Sequence, residues 1–210
     1  MGNMKPFVDC SSVVKAMNKI KNAYETSPVV FERTLKDMRS RAPGKVASAV
    51  TSVYGIKKSE IKCKSNSFKR GAGKIYARGN DLASFELLYY GRVLTPLHFG
   101  MTPKQAPSSE NSKGRKKYKV KAKIKKIAKT FKPDAPNGGV FLAPTQKTST
   151  ILPWMRHSEK PLDITPIKTL SLPQMVDNER VREIINKDLG ELCKKRFDNA
   201  LKQHLNRKLK

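Results

Sequence analysis

A stripe of apolar residues near the C-terminus constrains this chain most. Val181, Ile184, Ile185, Leu189, Leu192, Phe197, Ala200, Leu201 and Leu205 recur at steps of three and four, which puts them on one face of a single long helix. Glu179, Glu183 and Asp188 lie toward its start and Lys202, Arg207, Lys208 and Lys210 at its end, the order that the helix dipole favours. Gly190 is placed to bend it. Such a helix needs a surface to bury its stripe, and the expectation is that it packs across a sheet formed by the middle of the chain.

The N-terminal quarter also reads as helical. Val13, Val14, Met17, Ile20 and Tyr24 share one helical face. Ser27 followed by Pro28 resembles a cap with proline at the first helical position, where its missing N–H costs nothing. Val29, Val30, Leu35 and Met38 follow, Pro43 interrupts, and Val46, Ala47, Val50 and Tyr54 resume the spacing as far as Gly55. The prolines predict a helical region broken or kinked twice, with Gly55 as a C′ residue that tolerates positive φ. Its role is core packing.

The middle of the chain has a different texture. GKIYARG (73–79) and ASFELLYYG (83–91) read as short strands separated by turn residues. RGAGK (70–74) reads as a hairpin turn, since it lacks the strand and the spacing of a phosphate-cradling loop. The interval 101–117, MTPKQAPSSENSKGRKK, is almost free of large apolar residues and is expected to be a mobile basic loop. In YKVKAKIKKI (118–127), Tyr118, Val120, Ala122 and Ile124 alternate with Lys119, Lys121, Lys123 and Lys125, the pattern of a half-buried strand with a lysine face. VFLAP (140–144) and STILPWMR (149–156), preceded by the turn-rich KPDAPNGG (132–139), read as a further strand pair. The sum is an α+β chain of one domain, residues 1–210, with N-terminal helices, a central antiparallel sheet and a long C-terminal helix.

Charge sets the partner class. The chain carries 44 Lys and Arg against 17 Asp and Glu, a formal charge of +27, so a polyanion or an acidic protein surface is implied. From Lys104 to Lys132 there are twelve Lys and Arg, among them Lys116, Lys117, Lys119, Lys121, Lys123 and Lys125, against the single acid Glu110. A lysine-faced strand beside a basic loop can follow a phosphate backbone without reading bases. It can equally be an edge strand that uses lysine to prevent unwanted pairing, and the sequence leaves both readings open.

No enzyme chemistry is visible. His98, His157 and His204 are scattered, Cys10, Cys63 and Cys193 are odd in number and far apart, and no nucleotide-binding or nucleophile motif occurs. The expectation is no catalytic residue, no metal and no cofactor, with the cysteines as buried or incidental thiols in a reducing compartment. No stretch approaches the length of a membrane span.

Ser171, Leu172, Pro173, Gln174, Met175 and Val176, leading into NERVREIINKDLGELCKKRFDNALKQHL (178–205), resemble the end of the minor tail protein Z family of tailed bacteriophages and prophages, where a PQM turn opens a long basic terminal helix. VYGIKKSEIK (53–62) and GGVFLAP (138–144) are compatible with that family, while the 101–117 interval looks like an insertion and Pro43 departs from its smoother helix. The resemblance implies a non-enzymatic tail-completion component in the virion tail, reaching it from the host cytoplasm during assembly. It implies a homo-oligomeric ring at the head-proximal end, with the tail terminator or tube as partner and phage DNA nearby. The alternative from another class is a free basic nucleic-acid-binding or packaging factor, against which the sparse aromatic residues and the absence of a reader motif count.

Overall fold

A computed structural model describes residues 28–61, 73–79, 84–106, 119–126, 140–145, 149–160 and 162–208. The helix expected over 13–24, the 132–139 turn, Lys116 and Lys117 lie outside the described residues. The chain gathers into two compact units: a first made of Met1–Val50, Lys58–Gly91 and Leu172–Lys210, and a second made of Thr51–Lys57 and Arg92–Ser171.

Helix α1 (Pro28–Val53) has Pro28–Val50 in the first unit and Thr51–Val53 in the second, and the proline that the sequence marks as its start is its first described residue. The helix runs through Pro43 without ending there, so of the break or kink expected at that proline the break does not occur. Proline forfeits one rung of the helical ladder and crowds the preceding turn, a local cost of about 3 kcal/mol. Met38, Ala42, Val46, Ala47 and Val50 on both sides of it are at most 1 % exposed, and burial of that continuous face offsets the local cost.

The C-terminal helix α4 (Glu179–Lys208) is unbroken over 30 residues, about 45 Å at 1.5 Å per residue, so Gly190 does not terminate it. Val181, Ile185, Leu189, Leu192, Cys193, Phe197 and Ala200 are buried, whereas Leu205 is 50 % exposed. Its stripe meets α1. Val30, Phe197 and Ala200 form one apolar cluster, with Phe31 and Leu201 packed against it, and the Phe31 and Phe197 rings meet at 5.7 Å and 53°. Asp37 pairs with Arg196 at 3.6 Å and Lys45 with Asp188 at 3.5 Å. Residue numbers rise on one helix as they fall on the other, so the two run antiparallel.

Between these helices in sequence come α2 (Lys58–Ile61) and the antiparallel pair β1 (Gly73–Arg78) and β2 (Glu86–Gly91), in register from Gly73↔Gly91 to Arg78↔Glu86. One face buries Ile75, Leu87 and Tyr89, the two-residue period expected of a half-buried strand. Gly73 is the first residue of β1 rather than part of a hairpin turn, and residues 70–72 lie outside the described residues. Glycine is needed there because a Cβ would strike the Tyr90 carbonyl oxygen and the Leu172 side chain. Helix α3 (Leu172–Val176) packs on β2 and buries Leu172, Met175 and Val176 to 1 % or less.

The second unit opens with a 3₁₀ turn at Pro96–Phe99, closed by Gly100 at φ 66°. Strands β3 (Val140–Pro144), β4 (Ile151–Arg156) and β5 (Ile164–Pro166) form an antiparallel meander in that order. Met101, Val120 and Leu142 form its apolar cluster, with Leu97, Val140 and Ile151 against it. The two ends of the 92–171 stretch are joined: Thr169 N–H donates to the Leu94 carbonyl at 2.7 Å, Leu94 N–H to Leu170 at 3.3 Å, and Val93 bridges Ser171. The architecture is α+β, with two small antiparallel sheets, of two and three strands, among the described residues.

Candidate polyanion-binding surface

The lysine-bearing segment 119–126 lies in the second unit, and its alternation is visible in its burial. Val120 and Ala122 are 3 % and 2 % exposed, while Lys119, Lys121, Lys123 and Lys125 all face solvent. The segment is extended but is not one continuous ladder, because successive residues bond to different neighbours. Lys121 exchanges both backbone bonds with Thr102 at 2.8 Å, and Lys123 N–H donates to Phe99 at 3.2 Å. From the opposite side, Gly55 N–H donates to Ile124 and Lys126 N–H donates to Val53, each at 2.9 Å. Backbone thus meets one flank at Lys121 and Lys123 and the other at Ile124 and Lys126, so over that stretch the segment is not an open sheet edge of the kind lysine protects elsewhere.

Gly55 makes this docking possible, and its reason differs from the expected one. It is not in the left-handed region; a Cβ there would instead collide with the carbonyl oxygen of Lys123. The start of the expected 101–117 loop also differs. Met101 is 2 % exposed and Thr102 is bridged to Lys121, so the first residues of that interval are anchored under the lysine face; 107–118 lie outside the described residues.

Charge is divided unequally between the units. Among the described residues the second unit sets eleven Lys and Arg against two acids, Glu159 and Asp163, whereas the first sets seventeen against ten. None of Lys119, Lys121, Lys123 and Lys125 is held in an ion pair among the described residues, whereas Arg78, Arg182, Arg196 and Lys45 of the first unit each have a carboxylate partner. A row of solvated ammonium groups without counter-charges among the described residues is an electrostatic surface for an anion chain.

The family-like turn behaves differently. Ser171 is 9 % exposed in its bridge to Val93, Leu172, Met175 and Val176 are core residues of the first unit, Asp177 N–H bonds the Pro173 carbonyl at 2.9 Å, and Gln174 is exposed. The motif packs as a corner, and Leu172, Met175 and Val176 are not available to a partner.

Among the described residues no group of three or more His, Cys, Asp or Glu gathers as a metal site would. His157 Nε2 lies 2.7 Å from Thr165 Oγ1 across the β4–β5 pair. Cys193 is buried, and burial pushes its thiol up to about 11, the opposite of an activated nucleophile. No helix among the described residues is long and apolar enough to cross a membrane.

One arrangement has no counterpart in the sequence reading. Tyr76 and Tyr90 stack on the outer face of the β1–β2 pair with centroids 5.6 Å apart and planes within 4°. A hydrogen bond to Tyr90 raises the Tyr76 phenol above its ordinary value, with desolvation adding to it. The alternation in GKIYAR and ELLYYG contains this face, but which tyrosines meet depends on a register that only the folded pair fixes. Compared with protein-family models, curated proteins and solved structures, the chain matches none of them.

Proposed function

We propose that this chain is a structural minor tail protein of a long-tailed bacteriophage or prophage. It acts in tail completion at the head-proximal end, as one copy of a homo-oligomeric ring against the terminator or tube. The second unit is its polyanion contact, meeting DNA that enters the tail without reading its sequence. The observation that carries the contact is the lysine face: four exposed lysines on alternate positions, fixed from both flanks by backbone bonds. The tail assignment is supported by the resemblance of SLPQMV and the helix that follows it.

Duplex affinity measured against salt concentration tests the contact. Lys119, Lys121, Lys123 and Lys125 replaced together by alanine should flatten the slope of log K against log salt by about 3.6, at 0.9 per phosphate neutralised. An unchanged slope would remove DNA from the reading. Mass spectrometry of purified particles tests the tail role, and absence of the chain from virions sinks it. The concentration of charge in the second unit favours a second reading, a free nucleic-acid-binding or packaging factor, which that absence together with retained DNA affinity would support.

A further inference from the structure

The outer face of the β1–β2 pair has a composition that its fold does not require. The register sets Lys74, Tyr76 and Arg78 opposite Tyr90, Leu88 and Glu86, on the side away from buried Ile75, Leu87 and Tyr89. Tyr90 keeps 43 % of its surface in solvent, although it is stacked in parallel on Tyr76. The Lys74 ammonium lies 5.4 Å from the Tyr76 ring centre. At the other end Arg78 holds Glu86 at 2.8 Å, which neutralises the carboxylate on this face.

A partly solvated π stack with a cation over one of its rings matches one ligand chemistry in both its parts. An unpaired base offers a planar ring to stack, and its phosphate offers the negative charge. A duplex offers only the second, because its bases already stack on one another. We propose that this face is a stacking platform for an unpaired nucleotide of a single-stranded nucleic acid, with the base on the Tyr76–Tyr90 pair and the adjoining phosphate at Lys74. The platform belongs to the first unit and uses aromatic stacking, so it is separate from the lysine face of the second unit and extends the partner to single strands.

The test is fluorescence anisotropy of a labelled oligo-dT strand and of a duplex of the same length, at one low salt concentration. Tyr90→Ala and Tyr90→Leu should each weaken oligo-dT binding at least about fivefold, Tyr90→Phe should bind within about twofold of the original protein, and duplex affinity should stay unchanged in all three. Tyr90→Leu keeps apolar cover on the strand without a π face, and far-UV circular dichroism checks that each variant is folded. The proposal is overturned by an original protein that does not bind oligo-dT, by a Tyr90→Leu variant that binds it normally, by a Tyr90→Phe variant as weak as Tyr90→Ala, or by equal loss of strand and duplex. Failure of the original protein to bind duplex would instead count against the lysine-face contact and leave the oligo-dT comparison readable.

Discussion

Replacing Gly55 by alanine adds one methyl group where the lysine segment leaves no room for it. Its nearest neighbours are the Lys123 carbonyl oxygen, inside contact distance, the Lys123 carbonyl carbon at 3.4 Å and the Ile124 carbonyl oxygen at 3.8 Å. These are backbone atoms and cannot rotate aside, so the segment must retreat by roughly 1 Å to restore ordinary contact. That movement stretches the two 2.9 Å bonds from Gly55 to Ile124 and from Lys126 to Val53, each contributing about 0.5–1.5 kcal/mol. Alanine also restricts the unfolded chain, which stabilises by about 0.4–1 kcal/mol at a position with no need for positive φ. The expected net loss is about 1–2 kcal/mol. The chain has a single tryptophan, Trp154, in β4 of the same unit, where its Nε1–H donates to Ala143 at 3.1 Å. Its fluorescence during urea unfolding therefore reports this unit, and the midpoint should fall by about 1 M for a typical urea dependence. A midpoint that stays the same or rises would show that the segment has space to spare at Gly55, and the account of what fixes the lysine face would be wrong.

Two further outcomes are expected. Gly190 lies mid-helix in α4, and a methyl group added to it would meet nothing within 4 Å, so Gly190→Ala should stabilise by about 0.5–1 kcal/mol; a lower thermal midpoint by far-UV circular dichroism would contradict the open space. Burial raises the Cys193 thiol from 9.0 to about 11, so the folded chain keeps a proton that the unfolded chain releases. That contribution is complete below about pH 9 and is lost as pH rises toward 11. Cys193→Ala should lose less stability than the original protein over that interval, and alkylation of Cys193 at about pH 8 should be slow until the chain unfolds; fast labelling of folded protein would refute the burial.

What the sequence shows of this fold is what local pattern determines. The stripe from Val181 to Ala200 and the alternation of Val120 and Ala122 with lysines both survive in the structure, because side-chain periodicity follows from helix and strand geometry alone. Pro43 and Gly55 depart from their expected roles for one shared reason. Each has a local preference, to break a helix or to adopt positive φ, that is overridden by a surface distant in sequence. The burial of Met101 and the division of the middle strands into two small sheets likewise depend on non-local pairings. The lysine face is legible residue by residue, but not the bonds that hold it from both flanks. The Tyr76–Tyr90 stack is not legible, since a change of one residue in register would separate the rings.

The antiparallel pairing of α1 with α4 also sets a schedule for folding. Lys45 and Asp188 are 143 residues apart, and a ribosome adding 5–20 residues each second needs about 7–30 s to bridge that distance. Throughout that time Val30 and Phe31 have emerged while Phe197, Ala200 and Leu201 have not. The first unit therefore cannot complete its core during early synthesis, and the nascent chain carries an exposed apolar helix face, a target for chaperones, until the last helix arrives.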